Sequence, residues 1–140
     1  MEWIREELQI STRGKGLYAF TDQLHVLLRK YSVQNGLCVL FIPHTSASLL
    51  INENYDPSVQ TDMENFLERL IPEMQPWMKH RLEGNDDSSS HLKAAILPTE
   101  ISIPIDEGRL TLGTWQGVFL VEHRSQAHLR QIEIRIMKVE

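Results

Sequence analysis

Four of the six histidines stand where an imidazole could do chemistry. His44 ends an apolar run and opens onto the hydroxyls of Thr45, Ser46 and Ser48. A half-buried histidine with small hydroxyl neighbours can hold a ligand or a metal, or can be a satisfied core residue. His80 and His91 flank an acidic stretch that contains Glu83, Asp86 and Asp87. Two imidazoles beside carboxylates can form a mixed nitrogen and oxygen metal site. Their spacing matches no zinc-finger interval, and spacing alone favours a solvated loop. His25 falls beside a helical apolar stripe and His128 after a turn, so both read as structural or surface residues.

The fourth histidine lies in Glu122-His123-Arg124 at a strand end. Alternation puts His123 on the face of Phe119 and Val121, with Glu122 and Arg124 on the other, where they read as a surface charge pair. Nucleophilic catalysis is poorly supported. No G-x-S-x-G elbow is present, and Cys38 sits inside an apolar run as inert core. There is no phosphate loop or dinucleotide glycine fingerprint. Phosphate recognition would fall to isolated cations such as Lys93, Arg109 or Arg124.

The elements that must position these groups can be read from periodicity. Ile4, Leu8 and Ile10 alternate over Glu2 to Ser11, a strand broken by Arg13-Gly14-Lys15-Gly16. Phe20, Leu24, Leu27, Leu28 and Tyr31 mark one helix face, ended by Asn35-Gly36. Leu37 to Ile42 reads as a buried strand that bends at Pro43 and continues to Ile51. Asp56 caps a second helix with Pro57 at its first position, and Pro72 stops it. A polar loop follows over 72–90, with Ser90 capping a short helix through Leu97. Ile101, Ile103 and Ile105 alternate into a turn at Asp106-Glu107-Gly108. Strands over Gly113 to Arg124 and around Ile132, Ile134 and Ile136 complete the chain. The fold class is α+β, a mainly antiparallel sandwich or barrel-like sheet core with two main helices.

The 140 residues form a single domain, with 41% hydrophobic and 24% charged residues giving an ordinary core. The single cysteine excludes an internal disulfide framework. The formal net charge of −5 comes from an acidic middle third, which argues against nucleic acid or an anionic membrane as partner. No apolar run is long enough to span a bilayer, and the acidic start lacks a signal-peptide core. The cytoplasm is the expected location.

Taken together, the motifs resemble one family. They run from His44-Thr45-Ser46-Ala47-Ser48-Leu49 through Asn52-Glu53-Asn54, Asp56-Pro57, Val59, Asp62-Met63, Arg69 and Pro72. They continue with His80, Glu83-Gly84, Asp86-Asp87, Ser90-His91 and Lys93, then Gly108-Arg109, Gly113-Thr114-Trp115-Gln116-Gly117 and Glu122-His123-Arg124. In order and type these resemble the YjbQ-type family, the secondary thiamine-phosphate synthases, across nearly the whole chain. One departure is Ser88-Ser89, where members often carry Met-Pro.

The resemblance implies a homotrimer with a histidine-rich, metal-binding pocket. It also implies a reaction joining a phosphorylated thiazole to a pyrimidine pyrophosphate, with release of pyrophosphate. On that reading His44, His80 and His91 are the metal ligands, around zinc with an open fourth position or around magnesium shared with the pyrophosphate. Asp86 or Asp87 orients an imidazole. His123, Glu122 and Asp87 form the acid/base set, with His123 as a reserve ligand. Lys93, Arg109 and Arg124 bind phosphate oxygens, Ser46 lies beside the ligand, and Trp115 stacks on a ring or packs in the core. The alternative is a non-catalytic metal- or ligand-binding oligomer with a protective or regulatory role.

Overall fold

The computed structural model describes residues 1–140. In chain order the elements are β1 (Glu2–Thr12), β2 (Gly16–Ala19), α1 (Thr21–Lys30), β3 (Gly36–Phe41), β4 (Ala47–Glu53), α2 (Pro57–Leu70), α3 (Asp87–Ile96), β5 (Glu100–Asp106), β6 (Arg109–Leu110), β7 (Gln116–Glu122) and β8 (His128–Lys138). Every strand pairing is antiparallel. A five-stranded sheet has the order β1-β8-β3-β5-β6, and a three-stranded sheet has the order β2-β7-β4.

The two sheets face each other across one apolar core. Ile132, Ile134 and Ile136 of β8 and Ile101, Ile103 and Ile105 of β5 come from one side. Leu49, Val118 and Leu120 come from the other, and Phe20, Leu24 and Leu28 close the gap with α1. The alternation in the sequence is this inward set, because successive strand residues face opposite ways. The α+β class with an antiparallel sandwich core is therefore the observed architecture.

Several local expectations are corrected. The run from Leu37 to Ile51 is two strands in different sheets, because the chain leaves one sheet after Phe41 and joins the other at Ala47. Pro43 lies in that crossing, where a missing N–H costs no ladder bond. The strand β2 follows the Gly14-Lys15-Gly16 break and carries too few apolar residues to announce itself. The strand β7 begins at Gln116 rather than Gly113. The helix α3 begins at Asp87, preceded by Asp86, so Ser90 is an interior residue and not the cap. Ser88 and Ser89 form its first turn, with Ser89 Oγ donating to Asp86 O at 3.1 Å.

Two expectations at turns hold. Asp56 caps α2 by accepting from Ser58 N at 3.0 Å, with Pro57 first in the helix. Glu107 and Gly108 join β5 to β6 with φ of 51° and 79°, the positive pair of a type I′ two-residue hairpin turn.

Three chain crossings between the sheets lie at one end of the sandwich. They span Thr12 to Gly16, Phe41 to Ala47, and Glu122 to His128. The register brings them together, since Thr12 pairs with His128 while Gly16 and Ala47 both pair with Glu122. The chemistry-bearing residues gather at this end, beside α3.

Candidate metal centre

Helical spacing sets two of the groups side by side. Asp87 and His91 are four residues apart on α3 and share one face. His80 arrives from the preceding loop, which is pinned when Arg81 donates to Met78 O at 2.8 Å and to Gln75 O at 3.0 Å. Asp87 Oδ2 lies 2.6 Å from His80 Nε2 and 2.9 Å from His91 Nε2. One donor atom from each of the three residues falls within 4.8 Å of the others.

The second nitrogen of His91 decides how this cluster reads. Its Nδ1 lies 2.8 Å from the Thr45 carbonyl, to which it can only donate. That leaves Nε2 facing a carboxylate oxygen. A neutral imidazole has one N–H to share between these two acceptors. A neutral ring therefore serves only one of the two. A backbone carbonyl bonded to Nδ1 is the usual way a metal-binding histidine is oriented.

The carboxylate is itself held in place. Arg124 Nη1 donates to Asp87 Oδ1 at 2.5 Å, so Oδ2 turns toward the imidazoles. The same guanidinium donates to Asp86 Oδ1 at 3.2 Å and to Glu83 O at 3.0 Å. Asp86 Oδ2 accepts from Ser125 N at 2.6 Å and Ser125 Oγ at 2.9 Å. Burial opposes charge on both aspartates, yet both carboxyls lie below their ordinary range. The bond from His80 and the charges of His91 and Arg124 hold Asp87 down, and the two Ser125 bonds with Arg124 hold Asp86 down.

A wide hollow of about 420 Å³ opens beside His91, lined by His44, Thr45, His91, Ala94, Ala95 and Thr99. His80 and His91 are 45% and 37% exposed along their side chains, so the cluster is open to solvent and to that hollow.

The model of the family described as UPF0047 protein YjbQ-like matches residues 6–139, which include every group named above. The chain belongs to the YjbQ-like UPF0047 family. The UPF0047 protein sll1880 of Synechocystis is 45% identical over 94% of this chain and 90% of its own. The UPF0047 protein YjbQ of Escherichia coli O157:H7 is 41% identical over 93% and 94%. Among solved structures, a YbjQ-like protein of unknown function from Sulfolobus solfataricus superposes with a TM-score of 0.87 at 29% identity, covering 96% of both chains. The conserved hypothetical protein TT1486 of Thermus thermophilus gives 0.84 at 34% identity, covering 94% of this chain and 99% of that one.

The remaining candidate residues of this YjbQ-like chain are spread over several places. His44 borders the same hollow, but its Nε2 accepts from Gln131 N at 2.9 Å. The register Phe41↔Glu133 would put residue 43 opposite Gln131, but β3 has already ended, and His44 takes the bond the ladder gives up. Its donor atoms fall outside the His80, Asp87 and His91 group. Nor do His44, Ser46 and Ser48 share a face, because the chain changes sheet among them. Ser46 Oγ accepts from Arg130 at 2.9 Å, and Ser48 Oγ meets His123 Nε2 at 2.9 Å.

Glu122 and Arg124 are not a surface pair. Glu122 is 1% exposed and faces Arg130 and Thr12, while Arg124 belongs to the aspartates. His123 does share the outward face of β7 with Val121, in a pocket with Lys93 rather than with the metal cluster. Burial pushes its imidazole down to about 4, with the Lys93 charge adding to the effect. Lys93 donates to Glu68 Oε1 at 2.6 Å. Arg109 sits on β6 at the sheet edge beside His25, whose ring accepts from Leu110 N at 3.3 Å. Trp115 is 56% exposed and meets Tyr55 edge-on, with ring centroids 4.7 Å apart.

Sequence reasoning passed over Arg130, Glu68 and the Thr45 carbonyl. Arg130 had a signal: it stands in phase with Ile132, Ile134 and Ile136, so an inward arginine required a buried partner. The carbonyl of Thr45 left no trace in residue type.

Proposed function

We propose that this chain binds a divalent metal, zinc foremost, through His80 Nε2, Asp87 Oδ2 and His91 Nε2. The observation carrying this reading is the two-sided engagement of His91, with a carbonyl on Nδ1 and a carboxylate on Nε2. A tetrahedral zinc with bonds of about 2.0–2.1 Å spaces its donors roughly 3.3 Å apart. The present separations of 2.6 and 2.9 Å need to open by roughly 0.7 and 0.4 Å to reach that spacing. Two histidines and one carboxylate leave a position free, as in catalytic zinc sites.

When bound, the metal supplies Lewis-acid chemistry at that position and neutralises charge on a leaving group. Arg124 holds the Asp87 carboxylate in register, Thr45 fixes the His91 ring, and the hollow admits a small substrate. The reaction class proposed is that of a secondary thiamine-phosphate synthase. A thiazole phosphate joins a pyrimidine pyrophosphate and pyrophosphate leaves, with magnesium accompanying the pyrophosphate as a second option. His44 borders the hollow as a proton-bearing group rather than a ligand.

One observation favours the alternative of a non-catalytic metal-binding protein. No lysine or arginine lines the hollow, so the chain alone brings no cation to a pyrophosphate there. The outer face of the five-stranded sheet supports assembly. Trp3 and Phe41 are 53% and 47% exposed on it, and the helices lie elsewhere, α2 against β2 and α3 against β4. We take a homotrimer as the assembly and the cytoplasm as its place. No helix is long and apolar enough to cross a membrane.

Metal analysis of the purified protein tests the centre. His80→Ala and His91→Ala should each lose the bound metal, whereas unchanged stoichiometry in both sinks the assignment. Turnover of the two thiamine precursors by the metal-loaded protein, absent in both variants, separates catalysis from storage. Light scattering at micromolar concentration should return three times the monomer mass.

A further inference from the structure

Lys93 lies two residues beyond His91, which turns it by about 200° to the opposite face of α3. It enters a narrower pocket of about 190 Å³ between α2, β2 and β7, separate from the metal cluster. The polar residues lining that pocket are Lys15, Glu64, Asn65, Glu68, Lys93, Glu122 and His123, with the Glu122 carboxylate engaged by Arg130. Lys93 is 1% exposed, yet the only partner of its ammonium is Glu68 Oε1 at 2.6 Å. Lys15 donates to that same oxygen at 3.0 Å. Glu68 is 40% exposed along its side chain and stands between the pocket and solvent. Two ammonium groups thus converge on one carboxylate oxygen that can swing away.

His123 completes the wall. Ser48 occupies its Nε2, and no group in the chain bonds Nδ1. No buried polar side-chain atom lacks a partner, so Nδ1 opens to the pocket. Lys93 has two N–H bonds left to give, because an ammonium carries three donors.

We propose that this pocket is a second binding site, for a small oxyanion of carboxylate or phosphate type, with Glu68 as the internal occupant that the ligand displaces. The Glu68 oxygen marks where a ligand oxygen sits. Lys93 supplies the main positive charge, Lys15 adds to it while also donating to Glu73 Oε2 at 2.5 Å, His123 Nδ1 supplies a further polar contact, and the burial of Lys93 raises the strength of its contacts. This inference does not depend on the metal centre.

The test is an NMR titration of the full chain with acetate and with inorganic phosphate, following the Lys93 and His123 side-chain signals. Both signals should shift saturably in wild type with at least one of the two anions. Lys93→Met should weaken that binding by about tenfold or more, the scale of one charge-assisted contact. This variant keeps its fold, because it removes a buried charge and leaves Glu68 with Lys15. Glu68→Gln removes the competing carboxylate and should tighten binding, and its melting temperature should rise with added anion. His91→Ala should bind the anion as wild type does. An absence of saturable shifts in both wild type and Glu68→Gln, or binding undiminished in Lys93→Met, overturns the proposal.

Discussion

The Glu122 carboxylate and the Arg130 guanidinium meet side by side, Nε to Oε1 at 2.8 Å and Nη2 to Oε2 at 2.5 Å, with both residues at most 5% exposed. Thr12 adds a bond to Oε1 at 2.7 Å, and Arg130 reaches on to Ser46 O and Oγ. The pair therefore ties all three crossings between the sheets. Burial works against the charge on Glu122, but Arg130 and Thr12 outweigh it and keep the carboxyl below its ordinary range. Removing one partner strands the other charge. Glu122→Ala or Arg130→Met should each cost about 3–5 kcal/mol in urea denaturation, and Glu122→Leu with Arg130→Met together should recover much of it. An unchanged urea midpoint in the single variants would show that the pair does not hold the corner.

Arg124 positions Asp87 without touching the proposed metal. Arg124→Gln should weaken metal affinity by about 10–100-fold, the usual cost of losing an outer partner of a metal ligand. Isothermal titration with zinc reads this directly. Equal affinity in the variant would mean that Asp87 needs no such support.

For His44 the expectation divides cleanly. His44→Ala should leave metal stoichiometry intact while freeing the Gln131 N–H, at about 1 kcal/mol for a partly buried donor. Amide hydrogen exchange should quicken at Gln131 and stay slow at Ile132. Loss of metal in this variant would return His44 to the ligand set.

Acid should weaken the fold before the carboxylates titrate. The imidazole of His123 sits near 4 in the folded chain against about 6.5 unfolded, so the unfolded chain binds the extra proton first. Stability is full above about pH 6.5 and falls as pH drops toward 4, by about 3 kcal/mol at most. Burial lowers His25 and His44 as well, which adds loss in the same direction. Urea denaturation at pH 7 and pH 5 should show the loss in wild type and a smaller one in His123→Gln. Identical pH slopes would assign the loss to other groups.

Much of the sandwich could be read from residue order, because alternation on β1, β5 and β8 and the i, i+4 face of α1 report burial directly. The crossings could not. Leu37 to Ile51 reads as one apolar stretch, and nothing in side-chain type says that Phe41 and Ala47 belong to different sheets. The same gap hid the role of His44, which depends on where β3 stops. His80, Asp87 and His91 were visible as donors near an acidic loop, and helical spacing explains the meeting of the last two. Arg109, Lys93 and Arg124 looked alike as phosphate-binding cations. Their partners separate them: a sheet edge beside His25, a buried glutamate contact, and two aspartates.

The first and last strands are paired along their whole length, from Glu2 opposite Lys138 to Thr12 opposite His128, and β8 lies between β1 and β3. During synthesis, β1 emerges first and has no neighbour until every other described strand has left the ribosome. β3 also waits for β8 on one side. The nascent chain can form its helices and the β2-β7-β4 ladder, but the larger sheet closes only at the end. Until then β1 offers an unpaired edge of eleven residues, a stretch exposed to chaperones and to sister chains.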